Sequence, residues 1–153
     1  MQARASHREH APEPIRALFG ASQSLEKSTL GKKLLDLVYL RASQLNGCAY
    51  CVDMHARDLV REGEDCQRLN SLATWPETDL YSERERAALA WTESLTRVAD
   101  THAPDADYAA LAAHFSDKEI AELTIAAALI NAWNRIGVGL RLPVKKAPLR
   151  QII

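Results

Sequence analysis

Leu34-Leu35-Asp36-Leu37-Val38-Tyr39-Leu40-Arg41-Ala42-Ser43-Gln44-Leu45-Asn46-Gly47-Cys48-Ala49-Tyr50-Cys51-Val52-Asp53-Met54-His55 is the stretch from which the rest of this 153-residue chain can be read. Apolar residues at Leu30, Leu34, Leu37, Val38 and Leu45 recur at helical spacing, so a helix is expected over about 29–45 with Ser28 as its cap. Asn46-Gly47 breaks that pattern and sets up a new helix near Cys48. This one should run to about Glu62 and stop at Gly63, a common helix terminator. Its inward stripe would be Cys48, Cys51, Val52, His55 and Leu59, so the cysteines begin a helix and point to its interior side.

The spacing Cys48-x-x-Cys51-x-x-x-His55 carries chemistry. Residues three and four apart share a helix face with β-carbons about 5–6 Å apart, near the separation a disulfide tolerates. Two thiols so placed can cycle between dithiol and disulfide, and His55 lies one turn beyond Cys51 as a candidate base. Two arguments about reactivity compete. Free N–H groups and the dipole at a helix start favour a thiolate at Cys48, whereas the neighbouring imidazole favours Cys51. Other readings are two buried core cysteines beside a core histidine, or a zinc site in which Asp36 or Cys66 adds a fourth ligand. No second C-x-x-C or H-x-x-x-H pair supports zinc, and Val52 stands where covalent haem attachment needs histidine.

Outward from this stretch the signals remain helical. A helix over about 12–24 would bury Ile15, Leu18 and Phe19, and a short one is expected over 65–72 before a loop at Trp75-Pro76. Ser82-Glu83-Arg84-Glu85 has the form of a capping box opening a helix over 83–99. Pro104 suits the first turn of a helix reaching His114. Ser116-Asp117-Lys118-Glu119 repeats the capping box and opens the last long helix, to about Val138. Its centre, Leu123 to Trp133, is apolar nearly all round, as in a core or interface helix. The fold class is therefore all-α, a compact bundle of six or seven helices. One domain spans 1–153, with a core of about 28–142 and a tail over 143–153 bounded by Pro143 and Pro148.

Composition bounds the function. Apolar residues make up 47% and charged residues 25%, with a formal net charge of −1, the profile of a soluble globular domain with no electrostatic reason to bind nucleic acid or an anionic membrane. No apolar leader opens the chain, and Leu123 to Trp133 is shorter than a bilayer span. A cytoplasmic location is the expectation. Three cysteines, an odd number, argue against a secreted disulfide scaffold. Asp36 interrupts an apolar run, so it either reaches solvent or serves a site. Cys66 reads as a small apolar filler. His7 and His10 fall in a frayed terminus, and His102 in a loop. Trp75, Trp91 and Trp133 read as core or interface anchors.

The stretch Leu34 to His55 closely resembles the AhpD-like alkylhydroperoxidases of the carboxymuconolactone decarboxylase superfamily, as do Arg86 to Glu93 and Asn131 to Ile136. The likeness touches residues 28–142. The decarboxylase branch generally lacks the cysteine pair, so the pair favours the peroxidase branch. The resemblance implies that Cys51 is oxidised by peroxide to a sulfenic acid, that Cys48 resolves it as a disulfide, and that His55 relays protons. A relay glutamate lies twelve positions before the first cysteine in this family, where this chain has Asp36, shorter by one methylene. Tyr50 stands where some members have a further histidine. The resemblance also implies recycling by an external lipoyl-type dithiol, a lipoyl-bearing reductase system or a peroxiredoxin as partner, and a homotrimer or homohexamer. No bound cofactor or metal is expected. The expected function is a thiol-dependent peroxidase of organic or hydrogen peroxides. The alternatives are a redox-responsive dithiol binding protein and a zinc-bound structural domain.

Overall fold

The protein's computed structural model describes residues 2–147 and 149, and every regular element among them is helical. In chain order these are α1 His7–His10, α2 Pro12–Leu25, α3 Lys32–Asn46, α4 Ala49–Arg61, α5 Cys66–Ser71, a 3-10 segment Leu72–Glu77, α6 Glu83–Thr96, α7 Val98–Thr101, α8 Asp105–Ala112 and α9 Asp117–Leu140. The all-α class stands, with nine α-helices among the described residues instead of six or seven. The additional ones, α1 and α7, are single turns of four residues, too short to show a hydrophobic period. Ser6 caps α1 through its hydroxyl, and α7 follows α6 after Arg97 leaves helical geometry. Pro148 and residues 150–153 of the expected tail lie outside the described residues.

Both capping boxes form. Ser82 and Ser116 accept from the backbone N–H groups of Glu85 and Glu119, whose carboxylates return the bond, satisfying two otherwise unpaired donors at each helix start. Other boundaries moved. Gly31, not Ser28, is the N-cap of α3. Trp75-Pro76 lies within a 3-10 segment, not a loop. Pro104 is the N-cap of α8, one position earlier than a first turn. Phe19 is 43% exposed and packs on Trp133 with ring centroids 4.8 Å apart, so α2 buries Ile15 but not its whole apolar face.

Helix α3 is the centre of the bundle, packed against α4, α6 and α9. Leu35, Leu37, Val38, Leu40 and Ala42 are all buried, each large apolar side chain contributing about 1.5–3 kcal/mol when fully withdrawn from water. Trp75 and Trp91 are buried with them. Helix α9 is long and apolar enough to cross a bilayer by length and composition alone. In this fold it buries Ile120, Leu123, Ala126, Ala127, Ile130, Asn134 and Gly137, and it contacts α2, α3, α4, α6 and α8.

Candidate active site

The break between α3 and α4 builds the site. Gly47 takes a left-handed conformation, φ +67°, that a side chain would strain. Its N–H caps α3 on the carbonyls of Gln44 and Ser43, and the Cys48 N–H also donates to Ser43 O at 3.0 Å. The chain is thereby turned so that Cys48 becomes the N-cap of α4, its Sγ accepting from the Cys51 N–H at 3.3 Å. Cys48 thus caps the helix from outside its first turn, and Cys51 lies inside that turn. Their Cα atoms are 5.4 Å apart, and the two sulfurs are joined as a disulfide. Both are buried, 1% and 3% exposed.

Helix α9 closes over the sulfurs. A Cβ on Gly137 would lie 2.7 Å from Cys48 Sγ and 3.4 Å from Cys51 Sγ, so only glycine leaves room for the pair there. A polar brace fixes this approach. Asn46 Nδ2 donates to Asn131 Oδ1 and to Asn134 Oδ1, both at 2.9 Å. Asn134 Nδ2 donates to Ser43 Oγ at 2.9 Å. Asn134 and Ser43 are fully buried, so each bond removes a desolvation cost of about 1–3 kcal/mol.

His55, one turn beyond Cys51 and 7% exposed, meets the buried Asp36. Asp36 Oδ1 lies 3.1 Å from His55 Nδ1. Its Oδ2 accepts from Lys32 Nζ, and that ammonium also reaches Glu62 Oε1 at 3.0 Å. Burial pushes the Asp36 carboxyl up, but the hydrogen bonds from His55 and Lys32 outweigh it and hold the group below the usual carboxylate value. An ionised Asp36 accepts, so a neutral imidazole there carries its proton on Nδ1 and leaves the lone pair at Nε2. That nitrogen is buried and has no hydrogen-bond partner among the described residues. Tyr39 packs on the imidazole with centroids 5.1 Å apart. Its own hydroxyl is pushed far up by burial and by the charges of Asp36 and Glu26.

The structure therefore brings Cys48 and Cys51 together, and His55 onto Asp36. Asp36 is not the solvent-facing acid its position also allowed. Cys66 is exposed at the start of α5, which corrects the reading of it as a core filler. The sequence reading missed Lys32, Glu62, Gly137 and the asparagine brace. Asn131 and Asn134 interrupt the apolar run of α9, and that signal was available. As for metal, Asp36, His55 and Asp58 bring ligand atoms within 4.8 Å of one another, but Lys32 already neutralises Asp36 there and Arg61 donates to Asp58. A surface groove of about 530 Å³ over α1 and α2, lined by Arg8, Ile15, Arg16 and Phe19 among others, contains none of these residues.

Comparison with known proteins places this geometry. Residues 12–94 match the family described as the carboxymuconolactone decarboxylase family. An uncharacterized protein of Bacillus subtilis (strain 168), YdfG, is 34% identical over 140 residues, 92% of this chain and 95% of its own. A solved structure of a protein of unknown function from Agrobacterium tumefaciens, ATU0492, is 40% identical, with a TM-score of 0.90, covering 94% of this chain and 100% of that one. Its description assigns it provisionally to antioxidant defence as AhpD. The debrominase Bmp8 shares the fold at 20% identity, with a TM-score of 0.75 over 88% of this chain and 72% of its own.

Proposed function

The chain belongs to the carboxymuconolactone decarboxylase family and is AhpD-like, and from that premise we propose that it is a thiol-dependent peroxidase reducing organic or hydrogen peroxides. The observation that carries the reading is the buried Cys48–Cys51 disulfide on the same helix face as an imidazole whose Nδ1 is held by Asp36 and whose Nε2 is unpaired.

In the reduced protein, His55 Nε2 takes the proton of the Cys51 thiol. Asp36 faces the imidazolium that forms and stabilises it. The Cys51 thiolate attacks one peroxide oxygen, the O–O bond breaks, and the departing alkoxide or hydroxide receives the imidazolium proton. The products are an alcohol or water and a Cys51 sulfenic acid. The Cys48 sulfur then attacks Cys51, the S–S bond forms, and the sulfenic oxygen leaves with the Cys48 proton as water. An external dithiol of the lipoyl type returns two electrons and two protons by exchange, restoring both thiols and becoming a disulfide itself. A lipoyl-bearing reductase system or a peroxiredoxin is the partner of this reading. A cytoplasmic homotrimer or homohexamer is its setting, in keeping with Ile125 and Val138 of α9, which are 52% and 47% exposed in the single chain.

The test is a thiol count before and after one equivalent of an organic hydroperoxide, followed by turnover with dihydrolipoamide. Loss of two thiols per chain, monomer mass lowered by two hydrogens and sustained peroxide consumption are expected. Disulfide formation without turnover would leave a redox-responsive binding protein, and metal released from the purified protein would leave the zinc-bound domain.

A further inference from the structure

We propose that Lys32 is a positioning residue of this site: its ammonium, braced on Glu62, holds the short Asp36 side chain so that the other carboxylate oxygen faces His55 Nδ1. The proposal rests on the thiol chemistry above for its functional consequence, while the geometry stands by itself.

Asp36 has two oxygens and two partners. Oδ1 faces His55 at 3.1 Å and Oδ2 accepts from Lys32. A single-methylene carboxylate cannot reach far, so fixing one oxygen fixes the direction of the other. Lys32 is itself held at a second point by Glu62 Oε1, 3.0 Å away, at the end of the helix that carries Cys51 and His55. The clamp therefore ties the start of α3 to the end of α4 across the carboxylate. The Lys32 side chain is 49% exposed and that of Asp36 7%, so the ammonium comes from solvent to serve a buried acid.

Helix energetics do not explain this lysine. It lies at the first position of α3, where the dipole favours an acid, and a basic residue four before an acid is the weaker order for a helical pair. The groups facing Asp36 are Lys32 and Tyr39 on its own helix, and His55, Asp58 and Glu62 from α4 or its cap. The hydrogen bonds that hold its carboxyl down against burial come from His55 and Lys32. Removing Lys32 leaves burial opposed by one partner only.

The test measures the Asp36 carboxyl by carbon-13 NMR titration in the disulfide form, and the alkylation of the reduced pair by iodoacetamide from pH 5 to 8. Because Lys32 is half exposed, Lys32→Met keeps the fold. The Asp36 midpoint should rise by about one unit or more, the usual effect of losing an adjacent opposite charge, and the acid limb of alkylation should move up with it. Lys32→Arg should restore both in part, and Lys33→Met, which removes the neighbouring cation that pairs with Glu64 instead, should move neither. An unchanged Asp36 midpoint in folded Lys32→Met, or an equal shift in Lys33→Met, would overturn the proposal. A parent protein inert to peroxide would remove the peroxidase reading and leave the titration to decide Lys32.

Discussion

Two of the charge clusters among the described residues, each built on a buried carboxylate, differ in whether every buried nitrogen finds a partner. At the corner of α5 and α6, Arg68 donates from Nε to Glu64 at 3.0 Å, from one terminal nitrogen to Glu85 at 2.6 Å and from the other to the Leu80 carbonyl. Its guanidinium lies 4.7 Å from the Tyr81 ring centroid, and every nitrogen of the guanidinium has an acceptor. At the corner of α3 and α4, Lys32, Asp36 and His55 are paired in the same way, except that His55 Nε2 is left buried without a partner. A saturated cluster holds the fold. A cluster with one ring nitrogen unpaired, a turn from a sulfur pair, fits the proton relay proposed for His55.

Substitutions can break that contrast. Arg68→Met removes the centre of that cluster, taking the guanidinium from the buried Glu64 and from Glu85, which keeps its Ser82 bonds. It should cost about 3 kcal/mol, the low end for an ion pair broken in the interior, because a fifth of the Arg68 side chain still meets solvent. Urea midpoints would show it, with thiol oxidation per folded molecule nearly unchanged. A large loss of oxidation rate with stability intact would erase the distinction.

Asp36→Asn should do the reverse. The swap is nearly isosteric, so the fold survives, while peroxide-driven thiol oxidation at neutral pH slows at least roughly tenfold, below the ~10²–10⁴-fold of direct general acid–base assistance because Asp36 acts through His55. The effect should fade above pH ~8.5, where cysteine ionises unaided. Stopped-flow rates across pH decide it, and an unchanged neutral rate would reduce Asp36 to a structural acid.

Two glycines of one helix sharpen the comparison further. Gly139 has open space around its missing Cβ, whereas a Cβ on Gly137 would press on both sulfurs. Gly139→Ala should therefore stabilise by up to about 1 kcal/mol, as in other helix interiors. Gly137→Ala should lose that gain and shift the thiol–disulfide balance toward the dithiol, whose sulfurs can rotate away. Chemical denaturation and equilibration with a dithiol buffer measure these, and equal behaviour of the two variants would refute the close approach.

The smallest effect expected is on acid stability. The Asp36 and Glu85 carboxyls are both held below their ordinary values, so unfolding raises their affinity for protons. Their stabilisation is complete above the ordinary carboxylate value of about 4 and is lost as pH falls through the lower folded values. Asp36→Asn and Glu85→Gln should each flatten the fall in urea midpoint between pH 5 and 3. A slope identical to the parent's would mean that neither group is depressed.

What the sequence made legible was local. The break at Asn46-Gly47, the two serine capping boxes and the cysteine–histidine spacing are all signals contained within a few residues, and each appears in the structure where it was read. Asp36 was legible only as an alternative, because a carboxylate in an apolar run announces a partner without naming it. Gly137 was invisible, since its meaning lies in sulfurs some ninety positions earlier. Lys32 was hidden because the apolar pattern invited a helix start at Ser28, whereas Gly31 makes the turn and brings the lysine one turn before the acid. Cys66 was misjudged because burial statistics for cysteine say nothing about a helix start at the surface.

In the proposed cycle Cys51, one helical turn before His55, meets the peroxide and Cys48 resolves it. The most direct measurement treats Cys48→Ser and Cys51→Ser with an organic hydroperoxide and a dimedone-type probe, and locates the adduct by mass spectrometry. A trapped sulfenic acid is expected at Cys51 in Cys48→Ser, with little adduct at Cys48 in Cys51→Ser. Labelling of Cys48 in Cys51→Ser, with none at Cys51 in Cys48→Ser, would contradict it and assign the attack to the sulfur that caps the helix.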